Sequence, residues 1–575
     1  MTTATAQMAS SKSASKPAPP PNLRIELVDG ELALTCPYED REKAKRLHGR
    51  WHKGTKTWRL PARPEVLEAL ENSFPLLPVP DEVRVAVDRV RQAEEAVAEL
   101  KEAEDAEIEL PTKLPLYAHQ RRMAAMALRV PSFAWFAEMG TGKTAAAVAV
   151  AGRRFLDGQI SACLVVAPKS VLPVWEREFR TFAAFPYQVK VLDGSIAERE
   201  QQLAGPWPDG ALRVAVVNYE ATWRMEEALA RFVQGGMIIA DESHRIKTPG
   251  AQQSKAMGRL GQVAAYRLML TGTPVTQNPL DIWSQYRFLD PAIFGRSFYA
   301  FRNRYAIMGG YQNYQVVGFK NLDELVEKAH RIAFRITRAE CLDLPPEVYT
   351  DIPVQLGPRA RVIYREIEQE AIARLSSEAS VSASNVLTEL LRLQQVAGGW
   401  VTTDEGQTVQ VGTEKLDALM DLLEDLLSHQ ERKVIVFCRF VPEIRAILAA
   451  CEKAGIAAEG LFGETRDRGE LVRRFQEEAE PRVMVIQIQT GGLGITLHRA
   501  DTAIFYSTGW SLADYEQAKA RIQRAGQTAE KVQYFHLLAR GTVDERIMQA
   551  LAEKRDLSRM VVDDWKRFIG GGEAA

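Results

Sequence analysis

FAWFAEMGTGKT, residues 133–144, decides how the chain folds. Its first half is short, largely apolar and lacks a helical stripe, which marks a strand covered on both faces. It runs straight into Gly140-Thr141-Gly142-Lys143-Thr144, and an alanine- and valine-rich helical stretch follows. Glycines lack a Cβ, so main-chain N–H groups there can approach phosphate oxygens. The helix N-terminus adds partial positive charge at the same place. In such a loop Lys143 reaches the β- and γ-phosphates and the Thr144 hydroxyl binds Mg²⁺. The strict pattern has glycine at its first position, where Ala137 stands here, but the GTGKT core is intact. Strand, loop and helix in this order predict a P-loop that cradles nucleotide phosphates.

Similar short strands lie on either side. ACLVVAP (162–168), RVAVVNYE (213–220), MIIADE (237–242) and YRLMLTGT (266–273) alternate with helical stretches. After a polar, helix-rich middle the pattern restarts with KVIVFCRF (433–440), AAEGLFG (457–463), RVMVIQIQT (482–490), TAIFYS (502–507) and KVQYFHLLA (531–539). Apolar strands between helices predict parallel sheets covered on both faces, and two series predict two α/β lobes. The expected boundaries are 111–340 for the first lobe, 341–411 for a helical linker or protrusion, 412–569 for the second lobe and 570–575 for a tail.

Chemistry-bearing groups sit at strand ends, where open α/β sheets place ligands. In IIADESH (238–244) Asp241 can hold Mg²⁺ through water, Glu242 can polarise an attacking water, and His244 can relay the nucleotide state. Thr271 and Thr273 close the next strand, and their hydroxyls can couple that state onward. Gln120 precedes the loop, and its amide can pair with an adenine edge. In QAKARIQRAGQ (517–527) Arg521 and Arg524 stand three apart and would share a helix face. Two guanidiniums aimed at one point suit the charge that spreads over a γ-phosphate during transfer. QTGGLG (489–494) is either a glycine-rich approach to a phosphodiester backbone or a tight turn.

These motifs stand in the order of the superfamily-two helicase core. EMGTGKT (138–144), VVAPKSVLPVWEREF (165–179), DESHRIKTPGAQQSK (241–255) and LTGTPVTQNPLDIWSQYRFLDP (270–291) resemble the Swi/Snf-related branch of DNA translocases. So do KVIVFCRF, TGGLGITL (490–497), RIQRAGQ (521–527) and GTVDERI (541–547), and the resemblance spans roughly 113–560. It implies tandem RecA-like lobes and a DNA-stimulated ATPase that moves along duplex DNA. It places Gln120 at the adenine, and Gly140, Thr141, Gly142, Lys143, Thr144, Asp241 and Glu242 at the phosphates and metal. Gln517, Arg521 and Arg524 then face the γ-phosphate. Lys169, Ser170, Asn218, Tyr219, Arg439, Thr490 and Gly491 fall at family positions near the DNA backbone. Thr496 stands where the family often has Asn, Arg338 where Lys is usual, and Glu347 where Lys is common.

Residues 1–22 are rich in Ser, Ala, Thr and Pro and read as a disordered tail. Residues 23–80 read as a small basic α+β module: a hairpin around Asp29-Gly30, a helix over 39–50, a strand over 56–60 and a helix over 64–72. Residues 81–110 read as a linker helix with one apolar stripe. Nine bases lie between 41 and 63 with Trp51, Trp58 and His52 interleaved. The bases can grip phosphates or merely be solvated, and the tryptophans can stack on bases or form a tiny core. RLHGRWHKGTKTWRLP resembles the HARP module of annealing helicases, which implies recognition of branched DNA.

At ~150 residues per domain, 575 residues suggest roughly four folding units. Lys and Arg total 73 against 75 Asp and Glu, so a uniformly basic histone-like binder is excluded and a nucleic-acid face must be built by segregating charge. The five cysteines form no CxxC, which argues against a disulfide framework or a cysteine zinc site. Neither a run of 18 apolar residues nor a signal-like apolar N-terminus is present, so a cytoplasmic protein without membrane contact is expected. Two other readings stay open: a strand-separating DNA or RNA helicase, and an ATP-gated nucleic-acid clamp with little turnover.

Overall fold

The computed structural model describes residues 22–28, 30–47, 49–310, 315–377, 383–402, 407–428, 432–489, 495–524 and 526–562. The expectations for most of the 1–22 tail, for Thr490 and Gly491 and for the 570–575 tail lie outside these residues. The chain forms two units, Met1–Glu102 and Ala103–Ala575.

In the first unit β1 (Arg24–Val28), β2 (Glu31–Thr35), β3 (Arg50–His52) and β4 (Thr57–Pro61) make an antiparallel sheet in the order β1-β2-β4-β3. The expected helix is shorter than its sequence pattern, spanning Arg41–Arg46. Gly49 closes this turn: its N–H bonds the Ala44 carbonyl, and a Cβ there would sit 2.8 Å from that oxygen. Residues 50–52 then pair with β4 instead. Leu32, Leu34, Trp58 and Leu60 share a core with Leu67 and Leu70 of helix Pro64–Ser73. Val83 and Val87 of helix Asp81–Glu102 join the same core. This corrects the boundary at 80: the helix read as a linker is a wall of the module, because its apolar stripe is buried there.

The second unit holds the two expected α/β lobes. In the first lobe β5 (Ser132–Ala137), β6 (Ala162–Ala167), β7 (Tyr187–Val191), β8 (Leu212–Asn218), β9 (Met237–Asp241) and β10 (Tyr266–Leu270) are followed by hairpin β11 (Ala306–Gly309) and β12 (Gln315–Phe319), then β13 (Ala333–Ile336). Its parallel sheet has the order β13-β5-β10-β9-β6-β8-β7. In the second lobe β14 (Glu347–Val354) precedes hairpin β15 (Trp400–Thr402) and β16 (Thr408–Gln410). Then come β17 (Val434–Cys438), β18 (Ala458–Leu461), β19 (Val483–Gln487), β20 (Thr502–Phe505) and β21 (Val532–Ala539). This sheet is also parallel, in the order β14-β21-β20-β17-β19-β18. No described helix is long and apolar enough to cross a membrane.

β7, β13 and β14 were not legible as buried strands. All three are sheet edges, and β14 is mostly exposed. β7 and β14 lose the unbroken apolar run that marks the centre of a sheet, whereas buried β13 is four residues long and broken by Arg335. β14 pairs with β21 along its whole length, so residues 347–354 belong to the second lobe. This corrects the 341–411 linker, within which helices Pro358–Ser377 and Ala383–Ala397 follow β14.

Beneath the second sheet lies a buried charge cluster. Lys415 bonds Asp544 at 2.6 Å, and nearby Glu443 is 1 % exposed. The Ser507 hydroxyl and the Phe440 N–H both donate to Glu443 Oε2, while Oε1 has no partner. Burial pushes the Glu443 carboxyl up to about 7 against these bonds and the Lys415 charge. The unfolded chain therefore sheds this proton first, and stability falls as pH rises from the ordinary carboxyl range to about 7. Glu443→Gln should stabilise the protein at pH 8, by at most on the order of 3 kcal/mol, and should do little at pH 4. Denaturant melts at both pH values measure this; a loss of stability at pH 8 would contradict it.

Candidate active site

Strands β5, β10 and β9 lie side by side, with Leu270 in register with both Trp135 and Asp241. The loops carrying the GTGKT, TGT and DESH motifs therefore leave the sheet at one edge. Gly140 and Gly142 adopt φ +89 and +77, a left-handed region that side chains avoid. A Cβ on Gly142 would also overlap Gln120 Nε2. Helix Lys143–Leu156 starts directly afterwards. Lys143 is buried, and its ammonium donates to the carbonyls of Ala137 (2.7 Å) and Glu138 (3.1 Å). Burial pulls its pKa down, while Glu242, Asp241 and Glu138 hold it up. Thr144 is half-buried on the first turn of the helix.

Gln120 differs from the adenine-reading expectation. Its Nε2 donates to the carbonyls of Thr141 (3.2 Å) and Gly142 (3.5 Å), and its Oε1 accepts from the Tyr117 N–H. The amide braces the loop, and pairing with a base requires exchanging those bonds. A His119 ring nitrogen bonds the Thr141 carbonyl at 2.8 Å. His119 carried no signal in the sequence, because only the fold brings this helix under the loop.

Asp241 is buried, and its Oδ2 accepts from the Trp175 indole N–H at 3.1 Å. Burial raises its carboxyl to about 7, with the Glu242 charge adding and Lys143 opposing. Glu242 sits at φ +51, rare for a residue with a side chain and the kind of strain that clusters at functional sites. Burial alone would raise its carboxyl, but His244 and Lys143 outweigh this and hold it low. Glu242 Oε2 has no hydrogen-bond partner and lies 3.4 Å from His244 Nδ1. His244 Nδ1 is also 3.4 Å from Thr271 Oγ1, which accepts from the Thr273 N–H. The three expected coupling residues thus form one chain of contacts.

Asn218 and Tyr219 do not face outward as expected of nucleic-acid contacts. Tyr219 is 1 % exposed, and its hydroxyl donates to the Asp241 carbonyl at 2.6 Å. Asn218 is buried between Arg199, which donates to its Oδ1, and Glu220, which accepts from its Nδ2. Tyr219 thus turns to a buried partner, and Asn218 to half-buried Arg199 and exposed Glu220. Lys169 is exposed on the turn after β6, beside half-buried Ser170. The Arg439 guanidinium donates to Gln394 Oε1, and the Arg439 main-chain N–H donates to Ser507 Oγ at 2.8 Å.

The arginines need a second correction. The helix carrying half-buried Gln517 spans Leu512–Lys519, so Arg521 and Arg524 lie in the turns beyond it. The Arg521 carbonyl accepts from the Leu497 N–H, which draws the chain off the helical path. The two guanidiniums still lie close enough to repel each other. Burial, with Arg524 beside it, pulls Arg521 down to about 9, which leaves it charged at neutral pH. Its Nε has no partner, and its one described bond is a 3.5 Å contact to the Ile495 carbonyl. A buried cation so poorly met is a demand for an anion. Arg524 donates to Thr496 Oγ1 at 2.7 Å. A Cβ on Gly140 would lie 3.6 Å from Arg524 Cβ and 3.8 Å from Arg338 Cδ. The phosphate loop of one lobe and the arginine turn of the other therefore meet.

Two family models match in tandem on this frame: the SNF2-related domain over residues 129–398 and the helicase conserved C-terminal domain over 414–526. The chain therefore carries an SNF2-related domain followed by a helicase C-terminal domain. Among relatives of this chain, an uncharacterized ATP-dependent helicase of Mycoplasma pneumoniae is 26% identical over 75% of the chain and 40% of its own length. The DNA annealing helicase and endonuclease ZRANB3 of Mus musculus is 27% identical over 76% of the chain and 40% of its own. The chain thus spans about two fifths of these relatives. The solved Sulfolobus solfataricus SWI2/SNF2 ATPase core in complex with dsDNA is 24% identical, covers 80% of this chain and 96% of its own, and has a TM-score of 0.38. At that score the fold rests on the two sheets themselves.

Proposed function

We propose that this SNF2-related chain is an ATP-driven translocase on duplex or branched DNA, with a role in repair, recombination or replication, such as fork remodelling or annealing. The observation that carries the reading is the close approach of the Gly140 loop to the arginine turn, where a Cβ on Gly140 would lie 3.6 Å from Arg524 Cβ; it supports a nucleotide site shared by both lobes. A nucleotide held by both halves binds the closed arrangement better, so binding closes the lobes and hydrolysis releases them. Lys143 and the loop N–H groups take the phosphates. Glu242 accepts the proton of the attacking water. Arg521 and Arg524 meet the charge that develops on the γ-phosphoryl oxygens. Thr144 and Asp241 offer the hard oxygen donors that suit Mg²⁺, which there would neutralise phosphate charge.

The first unit supports a DNA partner in part. Trp58 is buried in the core, whereas Trp51 is 47% exposed and leans on it at 5.3 Å. Tyr38 is exposed under the Arg41 guanidinium. Arg59 is buried on the Val28 carbonyl, and Lys43 and Arg50 pair with Asp40 and Glu31. Arg46, Lys53 and Lys56 remain exposed, and the same unit exposes the Trp51 and Tyr38 rings, on which a base can stack.

ATPase titration over duplex, forked and single-stranded DNA and RNA tests the reading, with the full chain and with a chain starting at residue 103. Duplex should stimulate turnover, forks should stimulate more, and the fork preference should disappear on truncation. Lack of stimulation by duplex would overturn the translocase, and strand separation in a displacement assay would favour an ordinary helicase.

A further inference from the structure

Because the arginine turn is not helical, something else must hold it, and the crossover between the lobes supplies the grip. Arg338 lies just after β13, with only 8 % of its surface exposed. Its N–H and Nε–H meet Glu138 Oε2 at 3.0 and 3.4 Å. Its Nη1 donates to the Gln523 carbonyl at 2.6 Å. Gln523 sits between the two arginines, and its Nε2 donates to the Pro345 carbonyl at 2.9 Å. One guanidinium therefore holds the first residue of EMGTGKT and the main chain of the arginine turn.

We infer that Arg338 is a positioning residue that carries occupancy of the phosphate loop to the arginine turn of the second lobe. The inference rests on the ATPase reading above. The Glu138 carbonyl accepts from the Lys143 ammonium at 3.1 Å and from Thr141 Oγ1 at 2.8 Å, while its carboxylate holds Arg338. For Lys143 to meet a phosphate, its ammonium must leave the carbonyls of Ala137 and Glu138. Residue 138 then loses a main-chain restraint while its side chain still holds Arg338. From there the turn bearing Arg521 and Arg524 is one hydrogen bond away. The plainer account, a buried arginine satisfied by its neighbours, explains stability alone. It does not require that its bonds join two lobes, across 200 positions to Glu138 and 185 to Gln523. Coupling needs an element whose arrangement both sites bias, and this contact meets that condition.

Hydrogen exchange of segment 520–527, with and without the slowly hydrolysed analogue ATPγS, reads the coupling without turnover. The wild-type chain should change its exchange there on binding. Arg338→Met and Glu138→Gln should each abolish that change while ATPγS affinity moves less than about threefold. In steady state each should lower kcat about tenfold with little change in KM, within the 5–150-fold span of ordinary couplings. The double variant should be no worse than either single one, since the two groups act as a unit. Arg338→Lys, which keeps the charge but loses the fork, should recover part of kcat. If Arg338→Met does not fold, Glu138→Gln carries the same readouts. Unchanged exchange responses in the variants, or losses that multiply, overturn the inference. A wild-type chain that hydrolyses ATP without change at 520–527 overturns it and leaves the ATPase standing. A wild-type chain that neither binds nor hydrolyses nucleotide sinks both.

Discussion

Arg521→Met lowers ATP turnover by about 10³-fold or more without lowering the melting temperature of the nucleotide-free chain. The first half of this expected result follows from where the charge is needed. An arginine delivered to a transferring γ-phosphoryl group is worth ~10³–10⁵ in rate, because that charge spreads just as the bond breaks. The second half follows from how Arg521 is housed. It is 4 % exposed, its Nε has no partner, and Arg524 repels it. Replacing a buried, poorly paired cation with an apolar chain of similar length is often neutral or stabilising. Arg524→Met should show the same loss of turnover, but it also breaks a 2.7 Å bond to Thr496, so its melting temperature should fall slightly. Steady-state kinetics beside thermal melts decide. Parallel loss of folding and turnover in Arg521→Met would mean that this guanidinium is structural.

Glu242→Gln is the second large effect. A positioned general base contributes about 10²–10⁴ in rate, and the amide keeps the shape while losing the basicity. Nucleotide affinity should be largely kept, because the loop, Lys143 and Asp241 all remain in place to meet the phosphates and metal. The fold should tolerate the change, since Oε2 has no hydrogen-bond partner to lose. Removing the Glu242 charge also removes one of the causes that raise the Asp241 carboxyl, so Asp241 should ionise at lower pH in the variant. Single-turnover hydrolysis and nucleotide binding measure both parts. If the parent hydrolyses as slowly as the variant, the chain is a nucleotide-gated clamp and Glu242 activates no water.

The apolar centres of both sheets were legible in the sequence because each is a run covered on both faces. Edge strands β7 and β14 were not, since they lack the double cover that writes that run, and buried β13 was not because it is four residues long and broken by Arg335. Lys143, Thr144, Asp241 and Glu242 were found by type and spacing, and the structure places their loops at one edge of the first sheet. Asn218 and Tyr219 were assigned to a DNA face from motif position, but position says nothing about which way a side chain turns. Tyr219 instead braces the Asp241 main chain, as Trp175 braces its carboxylate. Neither partnership has a local signal, because Trp175 and Asp241 stand 66 positions apart.

Local order and residue type alone determined the phosphate loop, the acidic pair at the end of β9, and the presence of two covered parallel sheets. These are encoded in short stretches whose backbone geometry and apolar pattern need no distant partner. Tertiary structure decided that helix Asp81–Glu102 belongs to the first unit, that the arginines sit on a turn, and that Arg338 links that turn to Glu138. Each depends on which surfaces become buried together, a choice set by contacts between residues far apart in the chain.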